Sequence, residues 1–183
     1  MKQEQLAAGK ARGVFICLSG KGFESILKPI LGEKERLTMA TVRDMIRKKG
    51  SAVFAVTPDV TVFEVLQSMA KHNIGALLVM TGEDVVGIVS ERDCVRKLEL
   101  MDRDAKDTKV SEIMTSELIT VDCGQPLEEC MALMNAKNIR HLPVYDGQIL
   151  MGLISVRDVL KEMIEMQQIM LSQLERYITG GGR

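Results

Sequence analysis

The sequence predicts an α+β fold of two β-α-β-β-α repeats packed pseudo-symmetrically, with an N-terminal extension and a long C-terminal helix. Three observations carry this. Sliding the chain by 65 residues aligns Met69-Ala70-Lys71-His72-Asn73-Ile74-Gly75-Ala76-Leu77-Leu78-Val79 with Met134-Asn135-Ala136-Lys137-Asn138-Ile139-Arg140-His141-Leu142-Pro143-Val144. Without a gap, the same shift places GIVSERD, from Gly87 to Asp93, on GLISVRD, from Gly152 to Asp158. Upstream, Val42 to Ile46 matches Val110 to Met114 at a shift of 68, so one three-residue length change separates the two registers. Repetition of this kind outranks any reading of single elements.

Each copy then reads alike. A short apolar strand, Val53 to Val56 or Leu118 to Val121, leads into a turn at Thr57-Pro58-Asp59 or Asp122-Cys123-Gly124. A helix follows. Thr61 and Glu64 have the spacing of a capping box, and Pro126 suits the first helical position of the second copy. Val62, Val65, Leu66 and Met69 recur at helical spacing, as do Leu127, Cys130, Met131 and Met134. Two strands come next, Ile74 to Met80 and Val85 to Val89, joined through Thr81-Gly82-Glu83-Asp84. Their partners are His141 to Tyr145 and Ile149 to Ile154, joined by an Asp146-Gly147 turn. A closing helix begins after Ser90 and after Ser155. One copy is too small to bury both helices and all its strands, so the pair is expected to share a core.

The division expected is an extension over 1–40, a first repeat over 41–101, a charged linker over 102–108, a second repeat over 109–168 and a helix end and Gly-rich tail over 169–183. The extension holds apolar islands at Phe15 to Leu18 and Ile26 to Leu31, which suit either a docking arm or a transit peptide. Ser19-Gly20-Lys21-Gly22 lacks the frame of a phosphate loop. The last helix, about Val156 to Ile178, carries Leu160, Ile164, Leu171, Leu174 and Ile178 in a 3/4 rhythm, which suits packing across a dimer.

Composition narrows the function. A net charge of −1 provides no global field for nucleic acid, and an aromatic content of 3% disfavours base-stacking platforms. No run approaches the roughly 18 apolar residues that span a bilayer. No secretory signal pattern opens the chain, so a cytoplasmic protein is expected, or a mitochondrial or plastid one if residues 1–30 are a transit peptide. Cys17, Cys94, Cys123 and Cys130 form no C-x-x-C or Cys/His cluster; neither a zinc site nor a disulfide framework is expected. No metal role is expected for His72 or His141. His72 reads as a surface residue at a helix C-terminus, where the dipole favours it.

The repeated G-h-h-S-x-R-D ending, the Met-x(4)-Ile spacing and the Leu142-Pro143-Val144 strand together resemble a tandem pair of cystathionine-β-synthase (CBS) domains, a Bateman module. The resemblance covers about Thr41 to Gln168 and is nearest to stand-alone single-pair CBS proteins of bacteria and plant organelles. It implies adenosine-containing ligands (AMP or NAD foremost, with ADP, ATP and S-adenosylmethionine as alternatives) held in clefts between the repeats, and pairing into disc-like homodimers. By correspondence, Ile74, Gly75 and Ala76 line one cleft, and Ile139, Arg140 and His141 the other.

Two readings of the strand-to-helix junctions compete. Ser90 with Asp93, and Ser155 with Asp158, fit helix caps. Yet the motif recurs at equivalent positions after an apolar strand, and each copy adds an Arg, Arg92 or Arg157, in a first turn whose dipole disfavours it. An Arg there is easier to understand if it faces an anion. The helix terminus, Ser hydroxyl and guanidinium can hold a phosphate, and the Asp carboxylate can accept ribose hydroxyls. The cleft of Ser155, Arg157 and Asp158, with Ile139, Arg140 and His141, is expected to be the tighter, since Arg140 stands where the first copy has Gly75.

No nucleophile, base and orienting group assemble from these motifs, so the expected function is a non-catalytic adenine-nucleotide sensor acting through a dimer or a regulated partner protein. A structural dimer with vestigial clefts is the alternative, and an enzyme acting on a bound nucleotide is a weaker one.

Overall fold

The computed structural model describes residues 15–17, 40–50 and 52–180. The island at Ile26 to Leu31, the Ser19 to Gly22 segment and Gly181-Gly182 lie outside them, as does nearly all of the stretch considered as a transit peptide or docking arm. Two sheets form. One runs β2 (Ala55–Val56), β3 (Ala76–Thr81), β4 (Asp84–Ser90); the other runs β1 (Phe15–Cys17), β5 (Leu118–Asp122), β6 (His141–Asp146), β7 (Ile149–Ser155). The repeat survives in detail. β2 pairs with β3, and β5 with β6, in parallel; each then feeds an antiparallel hairpin. Each hairpin carries a register shift at the same place, Val79/Met80 and Val144/Tyr145. Gly82 and Gly147, at φ of 62° and 60°, supply the positive dihedral that a two-residue hairpin loop needs at its first position.

Six helices complete the described chain: α1 (Val42–Lys49), α2 (Val62–His72), α3 (Glu91–Met101), α4 (Val110–Ile113), α5 (Leu127–Lys137) and α6 (Val156–Gly180). The Thr61/Glu64 capping box forms as expected. Pro126 is the N-cap of α5 and not its first residue, because the free N–H of Leu127 is taken by the Ala40 carbonyl at 3.1 Å and needs no side-chain cap. β2 is shorter than the expected Val53 to Val56. Phe54 keeps one bond to β3, its carbonyl accepting from Leu78 N–H at 3.2 Å, and lays its ring 4.5 Å from that of His72, while Val53 turns into the core. That contact half-buries His72 at the end of α2, where it keeps the C-terminal position expected of it.

Helices are exchanged between the repeats. Val42, Met45 and Ile46 of α1 pack with Leu127, Leu133, Leu142 and Ile154 of the second repeat, whereas Val110 and Ile113 of α4 pack with Val65, Leu77 and Cys94 of the first. Backbone bonds fix both docks: Val42 N–H donates to Gln125 O (2.9 Å), and Val62 N–H to Thr108 O (2.9 Å). A third cluster is shared. Strand alternation sends Leu77 and Val79 to the helices but Leu78 and Met80 to the other sheet, where they meet Leu118, Tyr145 and Leu150. The shared core expected from the size of one repeat is therefore present. The buried thiols sit in the two helix-side clusters, where burial pushes Cys94 up to about 11 and Cys130 up to about 12.

The α4 dock depends on a missing side chain. A Cβ at Gly87 would stand 2.6 Å from Met114 Sδ and 3.2 Å from the Thr115 carbonyl, whereas one at Gly152 meets only Ile46 Cδ1 at 3.7 Å. Gly87→Ala is thus expected to cost about 1–3 kcal/mol by overpacking, and Gly152→Ala much less. Urea midpoints of the two variants check this.

Candidate functional site

Both strand-to-helix junctions are capping boxes. Asp93 Oδ2 accepts from Ser90 N–H at 3.1 Å and Ser90 Oγ–H at 2.6 Å, and Asp93 N–H returns to Ser90 Oγ at 3.3 Å. At Ser155 and Asp158 the three distances are 2.8, 2.7 and 3.2 Å. Each hydroxyl has one hydrogen, and here it goes to the Asp. The Ser therefore fixes the helix terminus, and anion-holding in this arrangement falls to guanidiniums and backbone N–H groups.

Beside the first junction lies a cavity of about 240 Å³. The first repeat lines it with Ile88, Ser90, Arg92, Asp93 and Arg96; Thr115, Asn138, Ile139, Arg140 and His141 complete it from the second half. The sequence suggests Ile139, Arg140 and His141 as companions of Ser155, Arg157 and Asp158; the structure joins them instead to the Ser-x-Arg-Asp of the other repeat. Ile74, Gly75, Ala76, Ser155, Arg157 and Asp158 do not line this cavity. They stay close to it: Ala76 pairs with Ser90, His141 pairs with Ser155, and a Cβ at Gly75 would lie 3.8 Å from His141 Nε2. Arg157, the twin of Arg92, is exposed.

Three guanidiniums, Arg92, Arg96 and Arg140, line the cavity, and no ion pair joins any of them to a described carboxylate. The acidic group in the lining is Asp93, whose Oδ1 stands 3.6 Å from Lys97 Nζ on its own helix. The cavity is therefore electropositive with one oriented carboxylate, a chemistry that fits a phosphorylated polyol.

His141 feels the carboxylates of both junctions. Burial lowers its pKa to about 4, helped by Arg140 and Lys49, against the opposing pull of Asp158 and Asp93. The imidazole is neutral at physiological pH and able to face an uncharged base. In the unfolded chain His titrates near 6.5. Between that value and about 4 the unfolded state binds more protons, so stability falls as pH drops through this window. His141→Gln is expected to flatten that limb of the stability–pH curve, read from thermal melts between pH 4 and 7.

Arg96 was legible in principle, one helical turn beyond Arg92. Thr115 and Asn138 were not: Thr115 arrives only because α4 docks on the first repeat, bridging to Ile88, and Asn138 because it ends α5 in the left-handed region at φ 52°. The second junction differs. Lys49 Nζ of α1 donates to Asp158 Oδ2 at 2.6 Å and to the Leu153 carbonyl at 3.2 Å, and Lys48 pairs with the buried Glu162. Burial pushes the Asp158 carboxyl up, but Lys49 and the Ser155 donors outweigh it and hold the group below its ordinary value. Elsewhere, Asp122, Cys123 and Asp146 place potential ligand atoms within 4.8 Å of one another. Arg43 already holds Asp146 at 2.8 Å, and burial keeps the Cys123 thiol protonated. Among the described residues no helix is long and apolar enough to cross a membrane.

A family model described as CBS domain matches residues 40–100 and 110–165. The CBS domain-containing protein CBSX3, mitochondrial, of Arabidopsis thaliana is 36% identical over 163 residues, covering 84% of this chain and 79% of that protein. A solved CBS domain, NE2398, is 48% identical over 69% of this chain and 99% of its own, with a TM-score of 0.66. The CBS domain pair of protein MJ0100, solved with 5-methylthioadenosine and S-adenosyl-L-methionine, shares the fold at 21% identity and a TM-score of 0.62, over 70% of this chain and 99% of its own.

Proposed function

The chain belongs to the CBS domain family, as a tandem pair forming a regulatory module, and from that premise we propose that it is a non-catalytic sensor of an adenine nucleotide, AMP or NAD foremost. The cavity between the repeats carries this: Arg92, Arg96 and Arg140 line it beside one carboxylate, and among the described residues none of the three is ion-paired. Arg92 and Arg140 hold the phosphate, with Arg96 adding charge; Asp93 accepts ribose hydroxyls; Ile88, Ile139 and neutral His141 face the base. The ligands of the MJ0100 pair share the adenosine part of that class and carry no phosphate, so they bear on the base and ribose alone. Because both repeats contribute, a ligand that fits one spacing of the halves better than another shifts their equilibrium by its differential affinity.

Output runs through a second copy of the chain or a partner protein. Val95 of α3 and Leu160 of α6, equivalent across the repeat, are 63% and 50% exposed, and Ile164 lies one turn beyond Leu160 at 45%. An apolar face of this kind suits a homodimer. The mitochondrial designation of the plant relative supports reading residues 1–30 as a transit peptide in place of a cytoplasmic protein. A thermal-shift panel of AMP, ADP, ATP, NAD, NADH and S-adenosylmethionine tests the function. A rise in melting temperature with at least one supports it, and no shift with any favours a purely structural dimer.

A further inference from the structure

Resting on that reading, we propose that Lys49 is a built-in latch on the second junction, so that each chain takes one nucleotide until this lysine is displaced. The two junctions superpose in sequence and cap geometry but differ in where their lysine comes from. In the first repeat it stands on the closing helix itself: Lys97 lies 3.6 Å from Asp93 Oδ1 and donates to the Ile113 carbonyl at 2.5 Å. At the matching place in the second repeat stands Glu162, a reversal of charge, and the cations come from α1 instead. Lys48 answers Glu162, and Lys49 reaches Asp158. The residue equivalent to Lys49, just after the α4 that docks on the first repeat, is the exposed Glu117, which brings no cation to Asp93.

The consequence is chemical. Asp158 Oδ2 receives three donors, from Ser155 N–H, Ser155 Oγ–H and Lys49 Nζ. Ribose hydroxyls approaching this carboxylate compete with an ammonium that is already there, whereas Asp93 faces its cavity with Lys97 as a flank. The Lys49–Asp158 pair is 43% and 26% exposed, so it is weak enough to be opened. Its stem spans from α1, whose apolar face is embedded in the second repeat's core, so opening the latch acts on the helix that links the halves.

Titration calorimetry of the full chain with AMP, and in parallel with NAD, tests this through stoichiometry. The wild-type chain is expected to bind one molecule per chain. Lys49→Met, which keeps the stem and removes the charge, is expected to bind two. Lys48→Met, which breaks the neighbouring pair with α6 but leaves Asp158 covered, is expected to stay at one. Two sites in the wild-type chain, or one site in Lys49→Met, overturn the latch while leaving the nucleotide reading intact. Absence of binding by every form overturns the nucleotide reading, and the latch with it.

Discussion

Arg140→Ala is expected to weaken adenine-nucleotide binding about ten- to a hundred-fold, the loss of one charge-assisted contact of roughly 1.5–3 kcal/mol. Arg92→Ala should act alike, from the opposite repeat. The informative control is Arg157→Ala. By sequence, Arg157 is the twin of Arg92; by structure, it is exposed and outside the cavity. Calorimetric titration should show a large loss for the first two variants and almost none for the third. Equal losses at Arg92 and Arg157 would return the site to the symmetric arrangement that the sequence suggests. Three convergent cations also make affinity fall as salt is raised, and Arg140→Ala should shallow that dependence. Removing one of three mutually repelling guanidiniums leaves the apo fold at least as stable, so melting temperature separates a binding defect from a folding one.

Ile113→Ala is the core substitution with the widest consequence. Ile113 is fully buried and is half of the apolar anchor by which α4, a helix of four residues, holds the first repeat. Truncation of such a side chain costs about 2–5 kcal/mol through lost burial and the remaining cavity. Total stability of a domain is only about 5–15 kcal/mol, so the urea midpoint should fall steeply. Met114 and Thr115 follow directly, and Thr115 both bridges to Ile88 and lines the cavity. Nucleotide affinity should therefore drop with stability. A loss of stability with affinity untouched would show that the exchanged helix supports the core without shaping the site.

The two-copy architecture was legible because the repeat, the hairpin loops and the caps are local features. Gly82 and Gly147 announce their turns, and Thr61 with Glu64 announces a helix start; no distant contact is needed for either. The Ser-x-x-Asp geometry was legible for the same reason, and both boxes form with their hydroxyls bound to the carboxylate. The pairing of site residues was not. Nothing near Ile139, Arg140 or His141 in the chain reveals that, while adjoining their own repeat's Ser155, they line a cavity with Ser90, Arg92 and Asp93. That follows from how two sheets stack through Leu78, Met80, Leu118 and Tyr145, a property of the assembled pair. Lys49 was invisible for a related reason. Three basic residues at the end of a short helix read as a complement to its dipole, and only the exchange of α1 onto the second repeat brings one of them to Asp158. The short strand β1, paired in parallel with β5 from Phe15 to Cys17, likewise gives no signal beyond an apolar island.

One nucleotide is expected to lie between the repeats and to touch both. A crystal structure of the full chain grown with AMP or NAD tests it most directly. The expected result is phosphate density against Arg92 and Arg140 with the ribose on Asp93, in the cavity that already holds His141. Density confined to the Ser155, Arg157 and Asp158 junction, with the Ser90 cavity empty, would contradict it.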